Sequence, residues 1–527
     1  MNKQFNITGL CIPDIHWTAD VPGKLQQIIK MVEAGDYFII NRPRQFGKTT
    51  ILFMLEKELL KTGSFLPIEI SFEGIDAPTF NSHPLFIQTF LGKISKELKR
   101  LNRPDLLSII QQETGAIQNF FHLDELLEKL NTTDPHLVLM IDEVDNSSNN
   151  QLFLDFLGML RNKYLERHKG KGATFHSVIL AGVHDIKTLK YKIRPNEDQK
   201  FNSPWNIAAN FDVPMELDVT EISSLLTTYS LGTGVTINIP AYVEKLYYYT
   251  SGHPFLVSYL CKLLDEKIMP GKSVKRWDLA DIEVAVTLLL KETNSNFDSL
   301  IKNLENNPEL YTFIKSIAIE GDSTSYHVTD NLISLAKMHG MVAEEEGNCK
   351  IHNKIYEQLI YDHMMVKLIR EGRVEKISQY TISANYIDSD GNLDFEKVLL
   401  KFQEFMKEQY SQKDRSFLER NGRLVFQAFL KPIINGKGFD FKEAQISAER
   451  RLDIAVTWGN TKYIIELKIW RGPKAHKEGL QQLTGYLEHS HSPKGYLIIF
   501  DTGKRKRNQW SKETIHIQNK EIFMVRV

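Results

Sequence analysis

Cysteine is scarce in this chain: Cys11, Cys261 and Cys349 stand far apart among 527 residues. Three thiols cannot pair completely, and no CxxC spacing is present, which argues against a disulfide-stapled or zinc-ribbon protein and for a reducing compartment. Net charge is equally lacking, since 65 Lys plus Arg offset 66 Asp plus Glu. A polybasic nucleic-acid binder is thereby disfavoured, and any contact with nucleic acid must come from local clusters. No stretch approaches the ~20 apolar residues of a membrane span, and the opening MNKQFNITGLCIPDIHW has no apolar core of signal-peptide length, so a cytoplasmic protein with no membrane partner is expected. Internal repeats and low-complexity tracts are missing too.

What is present is ample apolar material, 42% hydrophobic against 25% charged residues, in a chain long enough for three or four units of roughly 150 residues. Up to about residue 217, short apolar runs alternate with helical patterns: YFIIN at 37–41, LPIEISF at 66–72, LVLMID at 137–142 and SVILAG at 177–182. Strands apolar throughout and separated by helices predict a parallel sheet covered on both faces, hence an α/β domain over 1–215. A helical lid is expected over 216–275. Over 276–375 more helices follow, with EEEGN able to turn a hairpin, a pattern compatible with a winged helix. A polar linker, 376–410, precedes a last α/β domain at 411–527, read as a helix over 414–430, three strands, a helix over about 474–488 and the strand GYLIIF.

YFIINRPRQFGKTTILFMLEKELL reads as a buried strand, a tight loop and an amphipathic helix starting at Gly-Lys-Thr. That arrangement aims backbone N–H groups and the positive helix end at a phosphate. Gly47 allows close backbone approach, Lys48 reaches the β- and γ-phosphates, and Thr49 ligands Mg²⁺; Arg42 and Thr50 complete the nucleotide-binding stretch. Arg42 replaces the first glycine of GxxxxGK[ST], so the motif alone would be weak. LVLMIDEVD strengthens it: Asp142 is placed in the Mg²⁺ shell, and Glu143 orients or deprotonates water.

The segments NRPRQFGKTT, IDEVDNSSNNQLFLDFLGMLR, SVILAGVHDIKTLK, NSPWNIAANF and TSGHPFLVSYLCK resemble bacterial AAA-like ATPases related to the STAND class. The resemblance makes Arg42 the usual residue of an RPRxFGK[ST] loop, and implies ATP with Mg²⁺ as cofactors. It implies a γ-phosphate sensor at His184 or Asp185, and in GHPF a proline, Pro254, beside adenine with His253 near phosphate. Arg161 offers a group that acts across a subunit interface of a homo-oligomer, or simply a solvated arginine.

Toward the C-terminus, ERRLDIAVTWGNTKYIIELKIW carries two β-patterned runs around Gly459-Asn460, a dipeptide suited to a two-residue hairpin turn. A turn centred there pairs residues whose numbers sum to 919, so Asp453 faces Glu466. Carboxylates that close repel unless a cation lies between them, and Mg²⁺ suits such hard oxygen ligands. Lys468 shares Glu466's strand face, and Gln482 and Tyr486 share a face of the next helix. Asp453, the E-x-K of Glu466 and Lys468, and QxxxY resemble PD-(D/E)XK nucleases of RecB-like arrangement. That resemblance implies a restriction-endonuclease-like fold, a second Mg²⁺ site and DNA or RNA as substrate, with Glu419 as an additional acid. Arg471, Lys474 and the run KRKR at 504–507 are candidate phosphate contacts or a solvated face.

The leading expectation is an ATP-controlled nuclease, with anti-phage defence as its setting by analogy of domain content. Two alternatives stay open: a nucleotide-dependent nucleic-acid-binding switch whose nuclease fold does not cut, and an ATPase that remodels protein partners.

Overall fold

The computed structural model describes residues 3–113, 117–132, 134–146, 150–183, 205–320, 324–370, 386–388, 392–409, 422–423, 425–427, 429–430, 433–434, 438–441, 454–458, 461–470, 472–489, 492–501 and 510–527. It comprises two compact units. The first holds 1–300 with 334–341 and 353–355; the second holds 301–333, 342–352 and 356–527.

In the first unit, β1 (Tyr37–Asn41), β2 (Phe65–Ser71), β3 (His136–Asp142) and β4 (Ser177–Gly182) form an all-parallel sheet in the order β1-β4-β3-β2. A single parallel bridge from Phe38 to Ala209 extends it beyond β1. The strands are apolar over most of their length because both faces are covered, with Glu69 in the edge strand β2 and Asn41, Ser71, His136, Asp142 and Ser177 at strand ends as the polar exceptions. Tyr37, Ile39, Leu139, Ile141 and Leu180 pack on one side with α3 (His83–Arg100), α4 (Pro104–Glu113), α5 (Phe120–Leu130) and α6 (Gln151–His168). Phe38, Ile40, Val138, Met140 and Ile179 pack on the other with α1 (Pro22–Glu33) and α2 (Lys48–Thr62). Period-2 alternation sends neighbours to opposite cores, so a hydrophobic residue is wanted at every position.

Where a helical lid is expected, three helices follow: α7 (Val219–Thr233), α8 (Ile239–Thr250) and α9 (Pro254–Leu263). The two-residue strands β5 (Thr236–Ile237) and β6 (Arg276–Trp277) pair nearby, and α10 (Leu279–Lys291) comes next. Asp218 caps α7 reciprocally with Glu221, satisfying two donors the helix would leave open. Further helices are α11 (Ser295–Glu305), α12 (Pro308–Lys315) and α13 (Asn331–Met338). EEEGN does turn a hairpin, β7 (Val342–Glu345) against β8 (Asn348–Ile351), with Glu346 and Gly347 both at positive φ. Helix α14 (Lys354–Arg370) closes this stretch.

In the second unit, α15 (Phe395–Gln409) precedes β9 (Gly438–Phe441), β10 (Ile454–Trp458), β11 (Thr461–Ile469), α16 (Pro473–His489), β12 (Lys494–Phe500), β13 (Lys512–Ile517) and β14 (Lys520–Arg526). The six strands form one mixed sheet ordered β13-β14-β12-β11-β10-β9. β11 and β12 run parallel, so the chain must cross over between them, and α16 is that crossover. Its Leu480, Leu483 and Leu487 cover Ile464, Leu497, Ile499 and Met524. The last two strands extend a domain that the sequence reading ended, in elements, at GYLIIF.

Candidate functional site

The loop after β1 turns sharply, with Gln45 at φ 61° and Gly47 at φ 78°. Gly47 has no side chain to cap α2, and the first turn of that helix holds no acidic residue. The N-terminal N–H groups and the positive helix end are thus kept for an anion. Lys48 is buried and donates to the carbonyls of Arg42 at 3.0 Å and Pro43 at 2.9 Å, which stations its ammonium under the loop. Burial pulls its pKa down, against the opposing pull of Asp145, Glu143 and Asp142.

Strand β3 delivers the acids. The Thr49 hydroxyl donates to Asp142 Oδ2 at 2.7 Å, and Asp142 Oδ1 accepts from the Glu143 N–H at 2.8 Å. Thr49 and Asp142 therefore meet at the helix N-terminus, a hydroxyl and a carboxylate fit for one hard cation. Glu143 takes φ 54°, and burial with Asp142 beside it holds its carboxyl above the ordinary range. Asp145 Oδ2 accepts from the Val183 N–H at 2.6 Å, joining the ends of β3 and β4. His184 and Asp185, next in the chain, lie outside the described residues.

Arg42 is turned away from the loop's inner side. Its guanidinium donates to the carbonyls of Phe211 at 3.3 Å and Val213 at 2.9 Å and lies over the Phe211 ring. It ties the loop to the segment that leads into the lid. His253 is fully buried, its ring 4.3 Å from that of Phe46 in the loop, while Pro254 starts α9. Arg161 donates to Asn206 Oδ1 at 2.8 Å within the unit.

The turn before Pro254 depends on glycine. Gly252 sits at φ +74°, and a Cβ there would come 2.1 Å from the Leu217 carbonyl oxygen. Gly252→Ala is expected to cost roughly 2–4 kcal/mol through strain and backbone clash. The readout is a lower first thermal transition with faster hydrogen exchange across 215–260; unchanged exchange would show that the turn relaxes freely.

Beside Gly47, Thr50 and Pro254 opens a cavity of about 170 Å³, lined also by Met54, Met215 and Phe255. Part of its wall is the N-terminal segment, Asn6–Gly9, Cys11 and Trp17–Ala19, which sequence reasoning missed. The Cys11 N–H donates to Thr50 Oγ1 at 3.1 Å, and Ser258 Oγ donates to the Asn6 carbonyl at 2.6 Å, so the segment is tied to both α2 and α9. Lys24 lines the cavity as well and forms a buried ion pair with Glu221.

A phosphate-ready helix end, a Thr–Asp pair and a neighbouring cavity on a parallel sheet are what a P-loop domain assembles, and the sequence profile described as "AAA-like domain" matches residues 22–362. The chain belongs to the AAA-like domain family. That match ends before the C-terminal sheet. No curated protein matches the chain. Among solved structures, the Walker-type ATPase of Pyrococcus abyssi is similar at 13% identity and TM-score 0.45, covering 68% of this chain and 99% of its own. The ORC2 protein of Aeropyrum pernix, in ADPNP–ADP complexes, shows 13% identity and TM-score 0.37, over 66% and 96%. RuvB of Thermotoga maritima, a Holliday junction branch migration motor, shows 15% and 0.33, over 65% and 95%. Likenesses this remote assign neither substrate nor partner to the AAA-like domain here.

Outside that match, the second unit carries the other set of candidate residues. β10 pairs with β11 in the expected register: Ile454 faces Ile465 and Trp458 faces Thr461, each pair summing to 919. Asp453 and Glu419 lie outside the described residues, as do Arg471 and 504–507; Lys474 falls within α16, its side chain outside the description. Glu466 is fully buried. Lys468 Nζ approaches its Oε1 at 2.8 Å, and Oε2 has no hydrogen-bond partner among the described residues. Burial drives the Glu466 carboxyl upward, and Lys468, then Arg423, pull it back.

Gly479 of α16 lets the helix lie on the Lys468 stem, because a Cβ there would be 3.2 Å from Lys468 Cγ. Gln482 and Tyr486 follow on α16, Tyr486 buried in the core that also holds Ile464 and Leu497. The hairpin and crossover helix thus bring Glu466, Lys468, Gln482 and Tyr486 to one side of the sheet. A buried carboxylate oxygen left without a partner is costly, and a divalent cation is a group that would satisfy it. Among the described residues no group of three His, Cys, Asp or Glu side chains is placed to hold a metal.

Proposed function

We propose that the AAA-like domain binds and hydrolyses ATP and that its nucleotide state controls a Mg²⁺-dependent nuclease in the C-terminal domain, of the PD-(D/E)XK type, acting on DNA or RNA. The observation that carries the nuclease reading is the buried Glu466, with one oxygen on Lys468 and the other without a hydrogen-bond partner among the described residues, in a hairpin of the register that the paired-acid reading requires.

For the nucleotide, the α2 N-terminus and Lys48 receive the phosphates, Thr49 and Asp142 would hold Mg²⁺, and Glu143 orients the attacking water. The cavity by Thr50 and Pro254 is the proposed seat of the base, with the N-terminal segment closing over it. Arg42 and His253 act on the loop's position rather than on phosphate, through the contacts to Phe211, Val213 and Phe46. His184 or Asp185 stays the proposed γ-phosphate sensor on the strength of its place after β4 in the sequence.

In the second unit, Glu466 and Asp453 would hold Mg²⁺, with Glu419 as a further acid. When bound, that ion would lower the pKa of a water and neutralise phosphate charge. Lys468, a third exposed, sets a positive charge where the scissile phosphate gains negative charge. Tyr486 and Gln482 fix the helix face that covers this centre.

Cleavage assays on single- and double-stranded DNA and RNA, each with and without ATP and Mg²⁺, test the reading. Cleavage that requires Mg²⁺, changes with ATP and vanishes in Lys468→Ala is expected. Metal-independent binding with no cleavage of any polynucleotide would favour the non-cutting switch. ATP turnover raised by protein but by no nucleic acid would favour remodelling of a protein partner. Among the described residues no helix is long and apolar enough to cross a membrane.

A further inference from the structure

Lys468 does not stand alone at its level of the sheet. Lys468 of β11 pairs with Ile499 of β12, and Ile499 pairs with Arg526 of β14. Residues in one such row point to one face. Arg526 therefore lies on the α16 side, two strands from Lys468, roughly 10 Å at ~4.8 Å per strand. The Arg526 N–H donates to the Ser511 carbonyl at 2.9 Å, which brings Ser511 in beside it at the next strand.

The Arg526 side chain is only 8% exposed, yet its charge is incompletely matched. Its guanidinium stacks on Trp470 at 4.1 Å, and Trp470 in turn lies 5.7 Å from the His476 ring in the first turn of α16. Asp501 Oδ2 meets Nη1 at 3.5 Å, the outer limit of a hydrogen bond, and so orients the fork without saturating it. Arg526 Nε, Ser511 Oγ and His476 Nδ1 are all buried with no hydrogen-bond partner among the described residues. Three unmatched groups able to donate, one on a fixed guanidinium fork, gathered at the N-terminal end of a 17-residue helix, have the chemistry of an anion site. Leaving each buried and unmatched costs about 1–3 kcal/mol, which a ligand oxygen would recover.

We propose that Arg526, Ser511 and His476 form a phosphate-binding subsite flanking the Glu466–Lys468 centre, which takes a phosphate of the polynucleotide strand. The ligand class rests on the nuclease reading; the anion site rests on its own geometry. Trp470 holds the guanidinium plane in place, and Asp501 limits its rotation. The subsite positions the strand and makes no bond to the reacting atoms.

The test uses the full chain carrying Lys468→Ala, in EDTA, with short fluorescent DNA and RNA strands that carry or lack a 5′-phosphate. Arg526→Gln is expected to weaken binding by about tenfold or more, the loss of a charged hydrogen bond, and to flatten the salt dependence by roughly one phosphate contact. Arg526→Lys should fall between, keeping charge but losing the fork. Ser511→Ala, which removes no charge, should weaken binding a few-fold with a melting temperature no lower than that of the parent, and it decides the matter if Arg526→Gln fails to fold. A loss confined to 5′-phosphorylated strands identifies a terminal phosphate as the ligand, and an equal loss on both identifies an internal one.

Unchanged affinity and salt slope in folded Arg526→Gln, or unchanged affinity in Ser511→Ala should the first be unfolded, would overturn the subsite. Normal Mg²⁺-dependent cleavage by the Arg526 and Ser511 substitutions made in the chain that retains Lys468 would leave the nuclease reading standing without it. Arg526-dependent binding in a protein that cuts nothing would do the reverse.

Discussion

Glu466→Gln is expected to abolish cleavage while leaving the second unit as stable as before or more so. The carboxylate is fully buried and, among the described residues, one oxygen is unpartnered, so its charge is a burden on the folded protein that Lys468 offsets in part and a bound cation would relieve further. Removing a metal-holding carboxylate should lower the rate by at least about 10²-fold, the scale on which a single electrostatic contributor to a transition state acts. Lys468→Ala should also abolish cleavage but lower stability, because it leaves the buried Glu466 carboxylate without its ion-pair partner. The sign with pH follows from the raised carboxyl. A folded-state pKa above the unfolded value means the folded state favours the proton, so wild-type stability declines as pH rises from the unfolded pKa to the folded one. The advantage of Glu466→Gln over wild type should therefore grow with pH across that window. Rate measurements beside thermal melts at several pH values check both halves. A variant that melts lower and still cuts would reduce Glu466 and Lys468 to a structural ion pair.

Lys48→Ala is expected to lose ATP binding by on the order of 100-fold, from about 2–3 kcal/mol of charge-assisted bonding to phosphate. Glu143→Gln should keep binding and lose hydrolysis by roughly 10²–10⁴-fold, the usual contribution of a positioned base. The geometry separates the two roles. Lys48 is held beneath the loop by the Arg42 and Pro43 carbonyls, and Glu143 stands outside the Thr49–Asp142 pair with its carboxyl raised. Fluorescent-nucleotide titration and phosphate release resolve them. Undiminished turnover in either variant would remove that residue from the proposed roles.

Repeating the cleavage assay in the Lys48→Ala and Glu143→Gln backgrounds would connect the halves. If occupancy of the nucleotide site gates the nuclease, the first variant should lose ATP's effect on cleavage. If hydrolysis resets the gate, the second should lock it in the ATP-bound setting.

Much of this was legible because local chemistry repeats in the fold. The four apolar runs became β1 to β4 within about one residue of their read bounds, since a strand covered on both faces turns apolar side chains to each core in alternation. The hairpin register followed from two turn residues, because a two-residue loop fixes every pair behind it. Strands β13 and β14 went unread. The first is half exposed and largely polar, and a pattern with one weakly buried face gives period-2 reasoning little to hold.

The N-terminal segment escaped for a different reason. Asn6–Cys11 has no period of its own, and its course is set by partners far along the chain, Thr50 and Ser258 among them. Arg42 and His253 could be named from sequence as belonging to the nucleotide region. Only packing decided that one turns to the Phe211 and Val213 carbonyls and the other to the Phe46 ring.

Sequence by itself determined the residue types and the strand–loop–helix spacing that carry phosphate chemistry, because those depend on neighbours within a few positions. The tertiary structure alone decided what lies across the sheet from what. It put Thr49 on Asp142, buried Glu466 with one oxygen unmatched among the described residues, and set Arg526 in the row of Lys468. Such relations are made by strand order and crossover, which bring together residues whose separation in the chain leaves no local trace.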